Sequence, residues 1–578
     1  MNSMECYDFW MGNGYFDAET KAELLAISGN TAEIEERFYR DLEFGTGGLR
    51  GILGAGTNRM NLYTVRKASQ GVASFVVKQG ADAMAAGIAI GYDSRYRSAE
   101  FALEAAKVFA QNGVKAYLFD SLRPTPMVSY AVRKLGCAAG VVVTASHNPK
   151  EYNGYKVYGE DGGQLSLEGT EIVYAEIEAI TDLTTIKVME EKAAFDKGLI
   201  EIMPKFIDDD YIRDLRTLSI NPNIASEVPG FKIVYTPIHG AGNIPVRRIL
   251  AEGGFDVLIV KEQELPDPAF STVKSPNPEN KECFEIAIEL AKKEGVDLII
   301  GTDPDSDRVG VSVKRGENDF VMLTGNQTGM LLTEYILSAM RQNGTLPSNG
   351  FIVKTIVTTE LARKIAAAYD VELVEVLTGF KFIGEQIKCR DEEGNQKYLF
   401  GFEESYGYLA GTFARDKDAV VASMLIAEMA AWYKKQGMTL YEGLQAIFEK
   451  YGYSIEGIDN FTLKGKEGVE KILATMETLR ESAPKAFGEA VVKVIRDYEK
   501  KTRTNILTGE VKLMDLPASN VLYYEMVDGS WFCIRPSGTE PKLKIYYGVS
   551  EKTLNETEER LKILQKGVLG IINPLLKN

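Results

Sequence analysis

Histidine and closely spaced cysteines are the scarcest features of this 578-residue sequence. Only two histidines occur, His147 and His239, which argues against a zinc centre built from several histidines. The five cysteines form no CxxC pair and lie far apart along the chain, at Cys6, Cys137, Cys283, Cys389 and Cys533. Isolated cysteines of this kind are typical of reduced thiols in a cytoplasmic protein.

Long apolar runs and an excess of positive charge are also missing. No uninterrupted apolar stretch approaches the roughly 20 residues that cross a bilayer. The opening stretch MNSMECYDFWMGNG has no basic region followed by an apolar one, so we expect no signal peptide. The formal net charge of −16 argues against binding to nucleic acids or anionic membranes. We therefore expect a cytoplasmic protein with no nucleic-acid, membrane or obligate protein partner.

What the sequence does contain is an alternation of strand and helix patterns that occurs three times. The three repeats begin with the segments AGIAIGYD, FKIVYTP and GFIVKTIV, and amphipathic segments follow each of them. This alternation predicts βαβ units with mixed, largely parallel sheets. The C-terminal part differs, since GSWFCIRPSGTEPKLKIYYGV indicates two strands around a Gly/Pro loop, followed by a helix. We expect an α/β protein with three related α/β domains and a smaller C-terminal α+β domain.

The length of the chain predicts the number of domains, and the position of its polar loops predicts where a ligand could bind. A chain of this size predicts roughly three to five domains, and we place them at 1–210, 211–322, 323–455 and 456–578. In each of the three repeats a strand runs into a polar loop: TASHNP, GTDPDSDR and GFEESYGY. Because α/β sheets bind ligands at the carboxyl ends of their strands, the three loops could line one cleft.

GTDPDSDR carries three alternating acids, Asp303, Asp305 and Asp307. Three nearby carboxylates repel one another, and a hard divalent cation relieves this repulsion. All-oxygen ligands favour Mg²⁺ over zinc or copper. An EF-hand is excluded, because its sixth and twelfth positions would be Arg308 and Lys314 instead of Gly and Glu. The alternative is a solvated acidic turn, but the loop lies between two apolar strands.

TASHNP contains Ser146, which could form a turn or cap, act as a nucleophile with His147 as its base, or carry a phosphate. The chain has no GxSxG elbow. Adjacency of Ser146 and His147 is weak support for a nucleophile–base pair, since neighbours on a strand point to opposite sides. Downstream, EYNGYKVY indicates a tight turn at Asn153 and Gly154, followed by Lys156. These residues alone leave the alternatives open.

Several further motifs could contact an anion or another polar ligand, and the dinucleotide and Walker patterns are absent. GTGGLRG, with Thr46 and Arg50, is either a flexible turn or an anion contact. RPSGTEPK combines a guanidinium, hydroxyls and open backbone N–H groups that match a dianionic phosphate, although a polar hairpin turn is the alternative. Glu403 and Ser405 in GFEESYGY are suited to hold sugar hydroxyls. Arg415 and Lys417 in RDKDAV would be ordinary surface residues if considered alone, and Gly379 in TGFKFIGE indicates a loop that approaches a ligand closely.

Together, TASHNP, GTDPDSDR, TGFKFIG, GFEESYG and RPSGTEPK resemble, in order and spacing, the motifs of the α-D-phosphohexomutase family. The resemblance covers nearly the whole chain and is strongest to the long bacterial phosphoglucomutases, which are related to phosphopentomutases. It implies four domains around a central cleft, the first three with a shared α/β core. It also implies that Ser146 is a phosphoserine and that one Mg²⁺ is bound by its phosphate together with Asp303, Asp305 and Asp307.

The resemblance implies an intramolecular phosphotransferase that interconverts glucose 1-phosphate and glucose 6-phosphate, with glucose 1,6-bisphosphate as activator and intermediate. Arg50, His147, Lys156 and Arg308 would supply cationic stabilisation, and Lys156 is the favoured general acid/base. The residues that would contact the substrate are Thr46, Gly379, Glu403, Ser405, Arg415, Lys417, Arg535, Ser537, Gly538 and Thr539. Among these, Arg535, Ser537, Gly538 and Thr539 would bind the phosphate that does not react.

The motifs define the reaction type better than the sugar. Ribose, deoxyribose or mannose 1-phosphate are alternative substrates for the same mechanism. A metal-dependent phosphatase that hydrolyses its phosphoserine is a second class, and a non-catalytic phosphosugar sensor is a third. One position departs from many relatives, which have arginine where this chain has Lys544, and a lysine cannot make the same bidentate contact. We expect His239 to have a structural role.

Overall fold

The structure is a computed structural model that describes residues 1–45, 47–463, 465–536 and 542–577. The α-helices in chain order, α1 to α21, are Ser3–Gly12, Ala18–Ala26, Thr31–Phe38, Leu62–Gln79, Ala81–Ala86, Ser98–Gln111, Thr125–Leu135, Leu167–Glu178, Glu191–Asp196, Phe206–Arg216, Ile224–Glu227, Asn243–Glu252, Lys261–Glu264, Glu285–Glu294, Gly325–Gln342, Leu361–Ala368, Phe380–Glu393, Ala419–Lys435, Leu440–Tyr451, Gly465–Glu481 and Leu554–Lys577. Two 3-10 helices cover Leu183–Thr185 and Lys281–Phe284.

The strands in chain order, β1 to β23, are Gly48–Ile52, Ile88–Tyr92, Ala116–Leu118, Ala139–Val143, Tyr152–Gly159, Ile200–Ile202, Lys232–Thr236, Asp256–Ile259, Leu298–Thr302, Val309–Gly316, Asp319–Leu323, Gly350–Thr355, Glu372–Val376, Lys397–Glu403, Gly407–Ala410, Tyr453–Thr462, Ala486–Phe487, Ala490–Asp497, Thr502–Asn505, Val511–Leu513, Leu522–Met526, Trp531–Pro536 and Lys542–Glu551. The chain forms two compact units. Unit 1 contains Met1–Gly325, Ile383–Gly401 and Ser405–Leu440, and unit 2 contains Asn326–Phe382, Phe402–Glu404 and Tyr441–Asn578.

The first sheet of unit 1 has the strand order β1-β5-β4-β2-β3-β6. Strands β4, β2, β3 and β6 are parallel neighbours, whereas β1 and β5 are antiparallel to the strands beside them. Every residue of β4, AGVVV, is buried, as expected for a strand covered by helices on both faces. β4 therefore delivers Ser146 to the carboxyl-terminal edge of a packed sheet.

The second sheet of unit 1 has the order β11-β10-β9-β7-β8. Its strands β9, β7 and β8 are parallel, and β10 and β11 continue the sheet in antiparallel fashion. β9, LIIGT, is completely buried and leads directly into the acidic loop. The two sheets thus present TASHNP and GTDPDSDR at equivalent strand ends.

Unit 2 combines a parallel pair, β12 and β13, with a C-terminal antiparallel sheet of order β16-β23-β22-β21-β18-β19-β20. Apolar residues of helices α20 and α21 pack against this sheet, including Ile472, Leu564 and Val568. The mixed sheets and the antiparallel C-terminal sheet confirm the predicted α/β class with a distinct C-terminal domain. The predicted domain limits and the shared cleft stay predictions.

Two local predictions were wrong. Asn153 and Gly154 do not form a turn, because both lie within strand β5. A Cβ on Gly154 would lie 2.5 Å from the carbonyl oxygen of Thr144 and 2.7 Å from that of Leu49, so the glycine permits close strand packing. Arg50 was placed in a glycine-rich loop, but it lies in the middle of strand β1, opposite Gly154.

The five cysteines are all unpaired, as predicted. His239 is buried and its two ring nitrogens lie 2.9 Å from the carbonyl oxygen of Leu265 and from Thr272 Oγ1, which fits the expected structural role. Among the helices that the structure describes, none has both the length and the apolar character needed to span a membrane.

Candidate active site

Ser146 lies just beyond strand β4 in a strained backbone conformation. Its φ angle is 51°, in the left-handed region that non-glycine residues rarely adopt, and its N–H donates to Thr144 Oγ1 at 2.8 Å. The Ser146 hydroxyl is buried and donates to Asp303 Oδ2 at 2.8 Å. The serine hydroxyl and the acidic loop, predicted from separate repeats, therefore meet within unit 1.

His147 lies close to the same hydroxyl, with its Nδ1 atom 3.1 Å from Ser146 Oγ. The expectation that the two side chains point to opposite sides was wrong, because Ser146 is in the left-handed conformation and no longer continues the strand. Burial lowers the pKa of His147 well below its usual range, and the positive charges of Arg308 and Arg50 lower it further. The imidazole is therefore a weak base in this environment.

The three acids of GTDPDSDR converge and are all buried. One carboxylate oxygen from each of Asp303, Asp305 and Asp307 lies within 4.8 Å of the other two, a spacing at which one metal ion could contact all three. Ser306, in the middle of the loop, has a φ of 50°, and the N–H groups of Asp307 and Arg308 donate to Asp303 Oδ1 at 3.1 and 2.9 Å. The folded loop therefore fixes Asp303 from its own backbone.

The charge of the acidic cluster is only partly compensated by protein groups. Burial raises the pKa of Asp303 well above its usual range, and the neighbouring Asp305 and Asp307 carboxylates raise it further. Asp305 Oδ1 and Asp307 Oδ1 are buried and make no hydrogen bond to any described residue. Buried carboxylate oxygens normally have partners, so these two atoms fit an all-oxygen divalent metal site.

Two lysines lie against the acidic cluster from other elements. Lys156, on β5, donates to Asp305 Oδ2 at 2.8 Å and to Asp307 Oδ2 at 2.9 Å. Lys417 Nζ lies 3.3 Å from Asp307 Oδ2 and is buried, so it is not the ordinary surface residue that its sequence context alone suggested. Burial opposes the charged form of Lys156, but Asp305 and Asp307 outweigh it and raise its pKa. Lys156 is therefore a cation at neutral pH.

Burial likewise opposes ionisation of Asp307, yet Lys156, Lys417 and Arg308 hold its pKa below the ordinary range. Lys417 is itself held by Asp416, which accepts hydrogen bonds from the Lys417 N–H and Nζ groups at 2.8 and 3.1 Å. Tyr158 donates to the other oxygen of Asp416 at 2.8 Å. Asp416 thus links strand β5 to the second lysine.

The sequence analysis missed Asp93 and Arg95, which organise the loop that carries Ser146. The Arg95 guanidinium is fully buried and donates to the carbonyl oxygens of Ser146 at 2.5 Å, Pro149 at 2.8 Å and Tyr152 at 3.1 Å, and also to that of Asn148. Asp93 lies 3.2 Å from Arg95 Nε. The sequence could have indicated them, because YDSR is a polar motif at the end of the first strand of the first repeat, like the loops that were singled out.

Thr125 was also missed. It is the first residue of α7, and it donates to Asp305 twice, from its N–H to the carbonyl oxygen at 2.8 Å and from its hydroxyl to Oδ2 at 2.9 Å. The acidic loop of the second sheet is therefore held by a helix that packs on the first sheet. No single motif in the sequence indicates this contact.

The remaining predicted residues of unit 1 lie at different distances from this centre. Arg50 is exposed and donates to Asn148 Oδ1 at 3.4 Å. Arg308 donates to the carbonyl oxygen of Ser405 at 3.0 Å, which places Ser405 next to the acidic loop. Arg415 is buried and pairs with Asp391 at 2.5 Å, away from the contacts that surround Ser146 Oγ.

The predicted residues of unit 2 are only partly described. Glu403 is the buried last residue of β14. Gly379 precedes α17 with a φ of 124°, and this backbone conformation is the structural reason for a glycine there. Arg535 lies near the end of β22, paired in register with Lys544 on β23. Thr46, in unit 1, and Ser537, Gly538 and Thr539 lie outside the described residues.

A serine hydroxyl and a buried acidic triad lie at the carboxyl ends of parallel strands, with two lysines beside them. These are groups that metal-assisted phosphoryl transfer requires. The comparisons with known proteins agree with this class. Four family models match the chain, each described as part of phosphoglucomutase/phosphomannomutase: alpha/beta/alpha domain I over 41–184, domain II over 209–316, domain III over 324–451, and the C-terminal domain over 485–563.

Similar proteins are named phosphoglucomutase. The protein of that name from Staphylococcus aureus strain USA300 is 36% identical over 538 residues, which cover 92% of this chain and 94% of the relative. The Staphylococcus saprophyticus protein of the same name is 36% identical over 525 residues, covering 90% and 93%. The chain therefore belongs to the phosphoglucomutase/phosphomannomutase family, the α-D-phosphohexomutases, and is an enzyme. The predicted resemblance is confirmed.

Solved structures show the same fold. The Paramecium phosphoprotein pp63/parafusin, a phosphoglucomutase, superposes with a TM-score of 0.67 at 17% identity, covering 93% of this chain and 96% of that one. A phosphoglucomutase/phosphomannomutase family protein from Burkholderia thailandensis superposes with a TM-score of 0.64 at 17% identity, covering 91% and 97%. With the family matches, these likenesses confirm three α/β/α domains and a C-terminal domain.

Proposed function

We propose that the protein is a phosphoglucomutase that interconverts glucose 1-phosphate and glucose 6-phosphate through a phosphoserine at Ser146. The observation that carries the proposal is the 2.8 Å contact between Ser146 Oγ and Asp303 Oδ2. It joins a hydroxyl that could carry a phosphoryl group to carboxylates that could bind a metal. Relatives named phosphoglucomutase, alike along most of the chain, support glucose as the sugar.

The acidic triad fits Mg²⁺, since its donors are all oxygens and two of its buried carboxylate oxygens accept no hydrogen bond from any described residue. Asp303, Asp305 and Asp307 would hold the ion together with the phosphate on Ser146. When bound, the ion would neutralise charge on the transferring phosphoryl group. We propose Mg²⁺ as the metal on this chemistry.

The reaction consists of two transfers in opposite directions. In the first, a hydroxyl of glucose 1-phosphate attacks the phosphorus on Ser146; the bond from phosphorus to the sugar oxygen forms, the bond to Ser146 Oγ breaks, and glucose 1,6-bisphosphate results. The attacking hydroxyl loses its proton, and Ser146 Oγ regains one. In the second, the Ser146 hydroxyl attacks the phosphorus at the other end of the bisphosphate. The bond from phosphorus to Ser146 Oγ forms and the bond from phosphorus to the C1 oxygen of the sugar breaks; Ser146 Oγ loses its proton and the C1 oxygen gains one. Glucose 6-phosphate leaves, and Ser146 is phosphorylated again.

Lys156 is the proposed proton carrier and cationic group for these transfers. Its contacts with Asp305 and Asp307 hold it beside the acidic cluster in the protonated form. His147 lies against Ser146 Oγ, and Arg50 and Arg308 place positive charge near it. These groups would stabilise a phosphoryl group whose charge spreads over its oxygens during transfer.

The assignments further from Ser146 rest on the sequence resemblance. Glu403, Ser405, Gly379, Arg415 and Lys417 are proposed to hold the sugar. Arg535, Ser537, Gly538 and Thr539 are proposed to bind the phosphate that does not react. Binding energy from such remote groups can lower the chemical barrier. Glucose 1,6-bisphosphate as activator and a cytoplasmic location are likewise proposals.

The test is a comparison of glucose, mannose and ribose 1-phosphates with Mg²⁺ and a trace of the matching bisphosphate, with phosphorus NMR to detect the products. We expect the largest kcat/KM for glucose 1-phosphate. Ser146→Ala should abolish turnover and still bind glucose 1-phosphate, whereas the control Ser226→Ala, on the short helix α11 of unit 1, should be fully active. A larger kcat/KM for another sugar would change the substrate, and net release of inorganic phosphate would indicate a phosphatase.

A further inference from the structure

The first 40 residues lie before the start of the family match at residue 41, and nothing about the reaction so far uses them. They form helices α1, α2 and α3, whose apolar side chains cluster around Trp10. The cluster includes Ala55 and Tyr63 from the other side, and the Trp10 and Tyr63 rings lie 5.3 Å apart. The N-terminal helices are therefore packed on the segment that joins β1 to α4.

That segment, residues 53–61, also makes hydrogen bonds with polar residues of the N-terminal helices. Glu23 Oε1 and Oε2 each lie 3.1 Å from the N–H of Ala55, which donates to them. Arg37 donates to Glu23 at 2.5 Å and to the carbonyl oxygen of Ala55 at 3.2 Å. The N–H of Asn58 donates to the Arg37 carbonyl oxygen at 2.9 Å. The Glu23–Arg37 ion pair thus binds both backbone polar groups of Ala55, its N–H and its carbonyl oxygen.

Two glycines allow this close approach. A Cβ on Gly54 would lie 2.9 Å from Glu23 Oε1, and a Cβ on Gly56 would lie 2.8 Å from the Arg37 carbonyl oxygen. Both glycines have positive φ angles, 147° and 132°. The two glycines therefore leave space for Glu23 and Arg37 next to the segment. We call the pair of residues Glu23 and Arg37 the N-terminal clamp.

The clamped segment continues directly from the strand that carries Arg50. β1 lies at the edge of its sheet and has a neighbouring strand, β5, on one side only. The N–H of Met60, in the clamped segment, donates to the carbonyl oxygen of Ile52 at the end of β1 at 2.8 Å. The Arg50 side chain is exposed. The position of its guanidinium therefore depends on the position of the β1 backbone that carries it.

We infer that the N-terminal clamp is a positioning device that fixes β1 and thereby places the Arg50 guanidinium for phosphoryl transfer. The inference rests on the proposed function, because it needs Arg50 to act in turnover. Glu23 and Arg37 are positioning residues, since they act through the backbone of residues 53–61. On this inference, helices α1 to α3, which lie outside the family match, contribute to turnover by positioning β1.

A double-mutant cycle in the full-length enzyme with Mg²⁺ tests this inference. Glu23→Ala should lower kcat by roughly tenfold, because small displacements of a catalytic group are costly, while KM for glucose 1-phosphate changes little. In an Arg50→Ala background, Glu23→Ala should lower kcat no further. Glu19→Ala, in the same helix at an exposed position paired with Arg97, should leave kcat unchanged. If Glu23→Ala does not fold, Glu23→Gln replaces it in the same cycle.

The outcomes separate the two hypotheses. An unchanged kcat per folded molecule in Glu23→Ala, or an equal loss in the presence and absence of Arg50, would overturn the clamp and leave the proposed function intact. Full activity in Arg50→Ala would overturn the role of Arg50 and the clamp together. A loss in Glu23→Ala that disappears in the Arg50→Ala background would support the inference.

Discussion

The side chains around Ser146 have two different roles: some carry charge next to its hydroxyl, and others hold the backbone of its loop. In the proposed reaction, Lys156 and the three aspartates bring charge to the reacting group. Arg95 instead donates to backbone carbonyl oxygens around Ser146, pairs with Asp93 and lies over the Phe270 ring. A guanidinium is suited to this task because it offers several donors in one rigid plane. The left-handed conformation of Ser146 costs free energy, and the Arg95 contacts offset it.

Replacing Arg95 by lysine should therefore disturb the loop although the charge is kept. An ammonium group cannot serve four carbonyl oxygens and Asp93, and buried acceptors without donors are costly. We expect Arg95→Lys to lower the free energy of unfolding by about 3 kcal/mol in urea titrations, and to reduce kcat. Arg97→Lys, two residues further on and partly exposed, is the control. Equal stability of the two variants would contradict this account.

Asp305 provides the corresponding test of the metal site. In Asp305→Asn the negative charge is lost while an oxygen remains, so the Mg²⁺ concentration for half-maximal activity should rise by at least about tenfold. Titration calorimetry should show the same loss of affinity, and chelation of Mg²⁺ should inactivate the wild type reversibly. Asp319→Asn, on the exposed edge of β11, should behave as wild type. An unchanged Mg²⁺ requirement in Asp305→Asn would remove Asp305 from the site.

At the level of secondary-structure elements, strand β5 connects the parts of the site. It carries Lys156, pairs with β1 opposite Arg50, and packs so closely that Gly154 has no room for a side chain. Gly154→Ala should separate these strands and lower the free energy of unfolding by about 1–3 kcal/mol. Gly159→Ala, at the end of the same strand, would meet only the flexible Asp161 carboxylate at 3.2 Å and is the control. A stable Gly154→Ala variant would show that the packing can relax.

Helix α18 has a titrating N-cap, Asp418. Burial raises the pKa of Asp418 to about 6 from its ordinary 3.8, although the N–H groups of Val421 and Val420 and the hydroxyl of Tyr211 donate to it. Between these two values the folded chain binds the proton more strongly than the unfolded chain. This group therefore makes the protein less stable as pH rises through that interval.

Asp418→Asn should remove that contribution. We expect the difference in unfolding free energy, variant minus wild type, to increase between about pH 4.5 and about pH 7. Urea titrations of both proteins at the two pH values measure it, and effects of all other titrating groups cancel in the difference. A difference that stays constant or decreases with pH would contradict the raised pKa.

For the whole molecule, the sequence predicted the α/β class and placed TASHNP and GTDPDSDR at strand ends, because each apolar strand runs directly into its polar loop. The two loops end different sheets, so their meeting was expected from the family resemblance and the cleft that it implies. It could not predict Arg95 or Thr125, whose partners lie on other elements and depend on tertiary packing. It misjudged Gly154 as a turn residue, because a glycine required by strand packing has the same local pattern. The clamp residues Glu23 and Arg37 belong to no motif.

The central claim is that Ser146 carries the phosphoryl group. Its most direct test is mass spectrometry of the peptide that contains Ser146, after incubation of the full-length enzyme with glucose 1,6-bisphosphate and Mg²⁺ and again after addition of glucose 1-phosphate in excess. We predict that Ser146 gains one phosphoryl group in the first step and exchanges it with the sugar in the second. A mutase that turns over with Ser146 never phosphorylated would contradict the account.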